Sequence, residues 1–438
     1  MPDNGNKTRP VRTLTVRNFS VIKEAKLEFG KITVLIGPQA SGKSLLCKLA
    51  YFLSKEVLEI AVGRAMNDFD FSTFEDDVMK KFREWFPIGG WGTKDWSISL
   101  VSDNYEITAS GVLGGSQNPT TFRLEFGETF RHEYTKQLSN PRSRSEEIIY
   151  NAFSRLMGKS FWDGATYIPS ERSYFVDTQK GYRLLVSQPD PIASRFAGFY
   201  ASSLDPDIPK EQLNAHLQGE LTRGGDSWLF SFADGRVLPL NLLSTGSKEL
   251  LPLLCALEMY AHQCLEIMLD DELVSSSDEP SLSPEEETRF LNEEIVFPPE
   301  RQAGLDEFFV EEPEAHIFPK KQYELVQYFA KIVNDENLRT AITITTHSPY
   351  ILSAFNNLIE ASQVAAAKPD LKQDIAKLIP EQYWVKSEDF KAYCIHDGNL
   401  ESIMDTETGL ISANYLDSVS ETIGVEFDEL LRLGYVES

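Results

Sequence analysis

The sequence predicts an α/β protein whose parallel sheet carries a phosphate-binding loop, and three observations support that expectation. An apolar run, Lys31-Ile-Thr-Val-Leu-Ile36, leads straight into Gly37-Pro-Gln-Ala-Ser-Gly-Lys-Ser44 and then into the helix-forming Leu45-Leu-Cys-Lys-Leu-Ala50. Two more apolar runs, Phe308 to Val310 and Thr340 to Thr345, are each followed by a helical pattern. Alternating, half-exposed runs at Trp96 to Val101 and Thr121 to Phe126 mark a separate antiparallel part.

Taken in order, Leu14 to Ser20 reads as a first strand and Tyr51 to Phe86 as mainly helical. A Gly/Ser-rich turn region is expected between the strands at Trp96 and Thr121. Residues 128–222 read as a mainly helical insertion, broken by a sharp Tyr167-Ile-Pro-Ser-Glu-Arg172. Ser227 to Leu240 reads as a hairpin turning at Asp234-Gly235. Leu250 to Leu265 is a strongly apolar helix. The division expected from this pass is a loop-bearing lobe with a β-subdomain at 1–127, the helical insertion at 128–222, a second lobe at 223–360 and a small α/β tail at 361–438.

At 438 residues and 42% hydrophobic content, the chain has ample material for a core. No run of 18 apolar residues occurs, and residues 1–10 lack the apolar segment of a secretory signal, so no membrane association is expected. Cys47, Cys255, Cys264 and Cys394 are scattered without a C-x-x-C pair, which fits free thiols in a reducing cytoplasm. The net charge of −25 argues against a protein that coats nucleic acid through an overall basic surface. Part of that excess lies between Asp270 and Glu300, where eleven acidic residues accompany one basic residue, Arg289; this stretch reads as a solvated, flexible insertion, with a docking site for a basic partner as the alternative.

The spacing of residues 37–44 is G-x-x-x-x-G-K-[ST], in the strand-to-helix context that gives it meaning. The glycines let consecutive backbone N–H groups face phosphate oxygens; Lys43 offers a point charge to the β- and γ-phosphates and Ser44 a hydroxyl for Mg²⁺. Phe308-Phe-Val-Glu-Glu312 is an apolar strand ending in two carboxylates, one suited to the metal's shell and the next to polarising water. Acidic residues after a strand are common; here Pro313-Glu-Ala-His316 follows and a phosphate loop precedes. Thr346-His-Ser348 ends the next strand, placing His347 where it could sense a γ-phosphate, while His316 is read as structural. Leu243-Ser-Thr-Gly-Ser-Lys-Glu249 opens the apolar helix with small residues at its N-terminus, as a phosphate-binding helix start requires.

Together, Asn18-Phe19, the 37–44 loop, Ser244-Thr-Gly246, Glu311-Glu-Pro-Glu314 and Thr346-His-Ser348 resemble the head of SMC/RecF/OLD-type ABC ATPases, over nearly the whole chain. The resemblance implies an ABC-ATPase head fold with an antiparallel β-subdomain and a helical insertion, using ATP and Mg²⁺. It places Asn18, Gly37, Pro38, Gln39, Ala40, Ser41, Gly42, Lys43 and Ser44 at ATP, and Ser44 with Glu311 at Mg²⁺. Glu312 becomes the catalytic base and His347 the switch histidine. Ser244, Thr245, Gly246 and Ser247 become the signature motif, closing over ATP held by a second copy, so a homodimer or higher even-numbered assembly is implied. Thr245 and Ser247 depart from the family's usual Gly and Gln, and neither Gln117 nor Gln179 stands out as a Q-loop glutamine.

Ser44 and Ser244 lie 200 residues apart, too close for a long paired coiled coil, and only 91 residues follow His347. That tail holds Asp397, Asp405, Glu407, Asp417 and Glu421 without the apolar-strand-Glu-Gly start of a TOPRIM nuclease, and reads as a lid or assembly element. Tyr167 to Arg172 and Tyr415 to Asp417 further resemble the stand-alone ATPases of bacterial anti-phage defence. Three classes stay open: a defence ATPase controlling a separate nuclease or toxin, a RecF-like DNA-repair clamp, and an OLD-like nuclease.

Overall fold

A computed structural model describes residues 12–102, 104–113, 119–139, 149, 152–153, 156, 165–177, 191–225, 227–274, 306–338 and 340–412. The chain opens with β1 (Thr13–Phe19), β2 (Ile22–Glu28) and β3 (Ile32–Ile36). β1 and β2 are an antiparallel hairpin, with Val16 opposite Ala25, and bury Leu14, Val16 and Phe19 from one strand and Ile22, Ala25 and Leu27 from the other. β3 is buried on both faces, as expected of an interior parallel strand. After the helices come β4 (Trp96–Ser102), β5 (Tyr105–Leu113) and β6 (Pro119–Phe126), which extend β1 into an antiparallel wing. β5 corrects the expected turn region. Tyr105, Ile107 and Ala109 are buried while Glu106 and Thr108 between them are not, a period-two pattern that a Gly/Ser-rich composition at residues 110–116 obscures.

The other strands are β7 (Ala165–Ile168), β8 (Gly219–Gly224), β9 (Ser227–Phe232), β10 (Val237–Pro239), β11 (Asp306–Glu311), β12 (Thr340–Thr346), β13 (Phe390–His396) and β14 (Asn399–Ser402). β8 to β10 form a small separate sheet that includes the expected hairpin. The main sheet has eleven strands in the order β6-β5-β4-β1-β2-β14-β13-β3-β12-β11-β7. Its right half is parallel, and the registers pair Cys394 with Ile36, Ile36 with Thr346, Thr345 with Glu311 and Val310 with Ile168. The carboxyl ends of five strands therefore finish level, at the edge where ligands of open α/β sheets bind.

Two expectations change here. Tyr167 to Arg172 is not merely a punctuation in a helical insertion, because residues 165–168 are the parallel edge strand beside β11. The tail is not a separate lid over residues 390–402, because β13 joins β3 inside the main sheet. Both strands pair with a neighbour far away in sequence, so local pattern alone underrates them.

The helices are α1 (Lys43–Tyr51), α2 (Val57–Met66), α3 (Phe71–Trp85), α4 (Glu128–Ser139), α5 (Ser173–Asp177), α6 (Pro191–Ser203), α7 (Glu211–Leu217), α8 (Thr245–Val274), α9 (Pro319–Asn334), α10 (Pro349–Ala367) and α11 (Lys372–Leu378). α1 to α4 share one core with the antiparallel wing, while α6 to α10 share the other with β3, β11 and β12. α1 passes into α2 through a π-helical turn at Phe52–Glu56, where the Ser54 hydroxyl bonds the carbonyls of Ala50 and Tyr51. α8 outruns the expected helix at both ends, and its last residues are the start of the acidic stretch. The rest of that stretch, together with Gln117, Gln179, Asp417 and Glu421, lies outside the described residues.

Buried carboxyls set a pH dependence. Burial raises Glu56 and Glu258 from an ordinary 4.5 to about 7, although Arg195 opposes this at Glu56 and the amides of Gln212 and Leu213 oppose it at Glu258. The folded chain therefore holds protons that the unfolded chain has released between about pH 4.5 and 7, so stability falls as pH rises through that window. The melting temperature is expected to be about 2–4 °C higher at pH 6 than at pH 8. Relief of net negative charge acts in the same direction, so Glu258→Gln separates the two by flattening only the carboxyl's share of the slope.

Candidate functional site

The 37–44 loop arches from β3 to α1 with Ala40 at φ 58° and Gly42 at φ 107°. A Cβ on Gly42 would stand 2.4 Å from Ile22 Cδ1, so the β1–β2 turn fixes the glycine as firmly as its backbone does. Lys43 is 4% exposed, and its ammonium donates to the carbonyls of Gly37 (2.8 Å) and Pro38 (2.9 Å). Burial lowers its pKa, and the charges of Glu312 and Glu314 pull it back up. Gly42 provides no side-chain cap, so the first N–H groups of α1 stay open, and the buried Ser41 hydroxyl has no hydrogen-bond partner among the described residues. Unspent donors around a curled backbone fit a polyphosphate.

Glu311 ends β11 and is 5% exposed. Its Oε1 accepts from the Tyr167 hydroxyl at 2.5 Å and its Oε2 from the Ser170 amide at 3.2 Å. The same hydroxyl oxygen lies 3.5 Å from the Ser44 carbonyl, so Tyr167 bridges the strand end and the start of α1. Tyr167 thus ties the Glu311 carboxylate to the first turn of α1, which carries Ser44, an arrangement compatible with Mg²⁺ held partly through water.

Glu312 has a left-handed backbone (φ 42°), held by its amide bonding to the Thr345 carbonyl at 2.9 Å. This turns its carboxylate to within 3.3 Å of His347 Nε2, with both side chains about one-third exposed (38% and 34%). His347 is positioned by Glu314, whose Oε1 accepts from the His347 amide (2.6 Å) and the Thr346 hydroxyl (2.8 Å). Ser348 caps α10 through the Tyr350 amide and donates to Gln322 at 2.6 Å. The loop, both carboxylates and the histidine are therefore gathered at one sheet edge.

Asn18 sits at the end of β1 with its amide donating to the Asp95 carbonyl (3.1 Å); from that hairpin, Val21 and Ile22 are the residues against the loop. Ser244 caps α8, accepting from the Ser247 amide at 3.2 Å, and the two hydroxyls lie 2.8 Å apart. Ser244 and Thr245 are exposed. Gly246 is required by close packing, since a Cβ would stand 2.6 Å from the His316 carbonyl. His316 thus acts through its backbone, in line with its structural reading. Asp405 is occupied in a turn, accepting from the amides of Glu407 and Thr408.

Sequence reasoning missed Tyr167, Ser170, Arg172 and Glu314 as members of this site. The available signal was the short apolar run ending at Pro169, which reads as a strand end once another strand is placed beside it.

Loop, paired carboxylates and histidine on a mixed sheet with an antiparallel wing define a P-loop protein of the ABC-ATPase head class. Residues 32–353 match the family described as "AAA domain, putative AbiEii toxin, Type IV TA system". That match covers most of the chain, and the chain belongs to this family. No curated protein is significantly similar to it. Among solved structures, the SMC head domain from Thermotoga maritima is 13% identical, with 90% of this chain and 98% of that one covered, at TM-score 0.35. An Smc head bound to the C-winged helix domain of ScpA is 12% identical, covering 90% and 96%, at TM-score 0.37. A Pyrococcus furiosus Smc head with an extended coiled coil, bound to the C-terminal domain of ScpA, is 11% identical, covering 94% and 99%, at TM-score 0.37. Among the described residues, no helix is long and apolar enough to cross a membrane.

Proposed function

We propose that this chain is a cytoplasmic ATPase that closes head to head around ATP and so controls a separate effector, a nuclease or toxin, in anti-phage defence. The observation that carries the reading is the exposure of two groups of residues: Glu312 and His347 are about one-third exposed, and Ser244 and Thr245 are exposed at another helix start, where Ser244 bonds Ser247 of its own turn. In this reading each group is a half-site. A second copy completes both at once. Residues 1–127 and 223–360 are the two lobes of the head in this reading, with 128–222 inserted between them. The family's description, which includes "putative AbiEii toxin, Type IV TA system", supports a place in a toxin-antitoxin-like defence system. The resemblance of Tyr167 to Arg172 and of Tyr415 to Asp417 favours the PARIS ATPase subunit AriA as a functional parallel.

In the hydrolytic step, Glu312 accepts a proton from a water placed in line with the γ-phosphate, and His347 orients that water or a γ-oxygen. Lys43 and the N-terminus of α1 offset charge that develops on the phosphates. Ser44 and Glu311 would hold Mg²⁺, which would supply Lewis-acid stabilisation of the same charge. Thr245 adds a β-branched side chain where the family usually has Gly, and Ser247 lacks the amide of the usual Gln, so slow, partner-regulated turnover is expected. Tyr167→Phe removes the bond that aims Glu311 and is expected to raise the Mg²⁺ concentration needed for half-maximal turnover roughly tenfold. A Mg²⁺ titration with an unchanged midpoint would remove Tyr167 from the metal site.

The effector assignment is tested by co-expressing the Glu312→Gln chain with the product of its neighbouring gene. ATP-dependent retention of the neighbour supports effector control. Capture of DNA without the neighbour favours the RecF-like clamp, and metal-dependent DNA cleavage by the purified chain favours the OLD-like nuclease.

A further inference from the structure

Arg172 is fully buried, and the function proposed above does not use it. Its guanidinium spreads over three elements. Nε donates to the Glu249 carbonyl (2.9 Å) and stands 3.4 Å from that residue's carboxylate. Nη1 donates to the carbonyls of Glu311 (2.8 Å) and Pro169 (3.1 Å), and Nη2 to the Glu312 carbonyl (3.0 Å). Burial lowers its pKa, and Glu249 is the strongest of the nearby carboxylates that restore the charge. One planar cation thus joins the first turns of α8, directly behind Ser244 and Gly246, to the peptide whose left-handed turn aims Glu312.

We infer that Arg172 couples the two ATP sites of the closed dimer. The inference rests on the head-to-head reading. There, Ser244 and Gly246 of one copy close on ATP held by the second copy, while Glu312 of the first copy serves its own ATP. A shift of α8 on engaging the distant nucleotide moves Glu249, and the rigid guanidinium passes that shift to the carbonyls of Glu311 and Glu312. Arg172 is a positioning residue, acting on water activation through the backbone of Glu312. Its fork donates to four carbonyls at once, which the single ammonium of lysine cannot reproduce. The coupling is reciprocal for binding, so it appears as cooperativity between sites.

The test compares wild type, Arg172→Lys and Glu249→Gln by equilibrium ATP binding, by turnover against ATP concentration, and by melting temperature. The wild type is expected to turn over ATP with a Hill coefficient approaching about 2, the number of coupled sites. Arg172→Lys is expected to bind ATP within about threefold of wild type, to lose roughly tenfold or more in kcat, and to drop to a Hill coefficient near 1. Glu249→Gln keeps the backbone acceptor and the Arg172 contacts to Glu311 and Glu312, and is expected to lower the Hill coefficient with a smaller loss of kcat. A variant pair with wild-type cooperativity would overturn the coupling, as would losses of binding, turnover and melting temperature in parallel. A wild-type enzyme that closes with ATP yet shows a Hill coefficient of 1 overturns the coupling alone. One that does not close with ATP overturns the head-to-head reading as well.

Discussion

Lys43→Ala is expected to abolish measurable ATP binding while leaving the fold intact. Lys43 is the buried cation of the loop, and its ammonium rests on the carbonyls of Gly37 and Pro38, where phosphate oxygens would replace them as partners. Removing one member of such a buried charge pair costs about 2–5 kcal/mol, or roughly 30-fold to several thousand-fold in Kd. Stability suffers less, because the substitution also removes the desolvation that lowers the lysine's pKa. The checks are ATP titration calorimetry and a melting curve on the same preparation. Unchanged affinity would remove the loop from the ATP site.

Glu312→Gln is expected to separate binding from chemistry. Glutamine keeps the size and the acceptor oxygen that faces His347 Nε2 at 3.3 Å, and it leaves the backbone bond to Thr345 in place. What disappears is the capacity to take a proton from water. General-base catalysis of this kind is worth about 100- to 10,000-fold, so single-turnover hydrolysis should slow by that factor while ATP affinity holds. The left-handed φ of 42° at this position supports the assignment, since a non-glycine residue there costs about 1–3 kcal/mol and persists only where its surroundings hold it. A Glu312→Gln chain with normal turnover would mean that another group activates the water.

The parts of the site that could be read in the sequence are those whose chemistry requires consecutive residues. A phosphate loop needs its glycines, lysine and serine at fixed spacing, and a strand that ends in two carboxylates shows its apolar run. His347 follows β12 immediately and is legible for the same reason. Tyr167, Ser170 and Arg172 were not assigned, because their partners at Glu311 and Glu312 lie 139 to 144 residues further along the chain. Glu314 was visible in the motif, but its job of holding the amide of His347 depends on β11 and β12 lying side by side. The fold divides in the same way. β3, β11 and β12 announce themselves as buried runs, whereas β5, β7 and β13 become strands through the neighbours that pair with them.

The central claim is that ATP joins two copies through the P-loop of one and Ser244 to Gly246 of the other. Light scattering on the Glu312→Gln chain, with and without ATP and Mg²⁺, tests it most directly. The predicted result is a molar mass that doubles only with nucleotide and metal, and that stays at the monomer value when Ser244→Arg is added. A mass indifferent to ATP, or a doubling that survives Ser244→Arg, would contradict it.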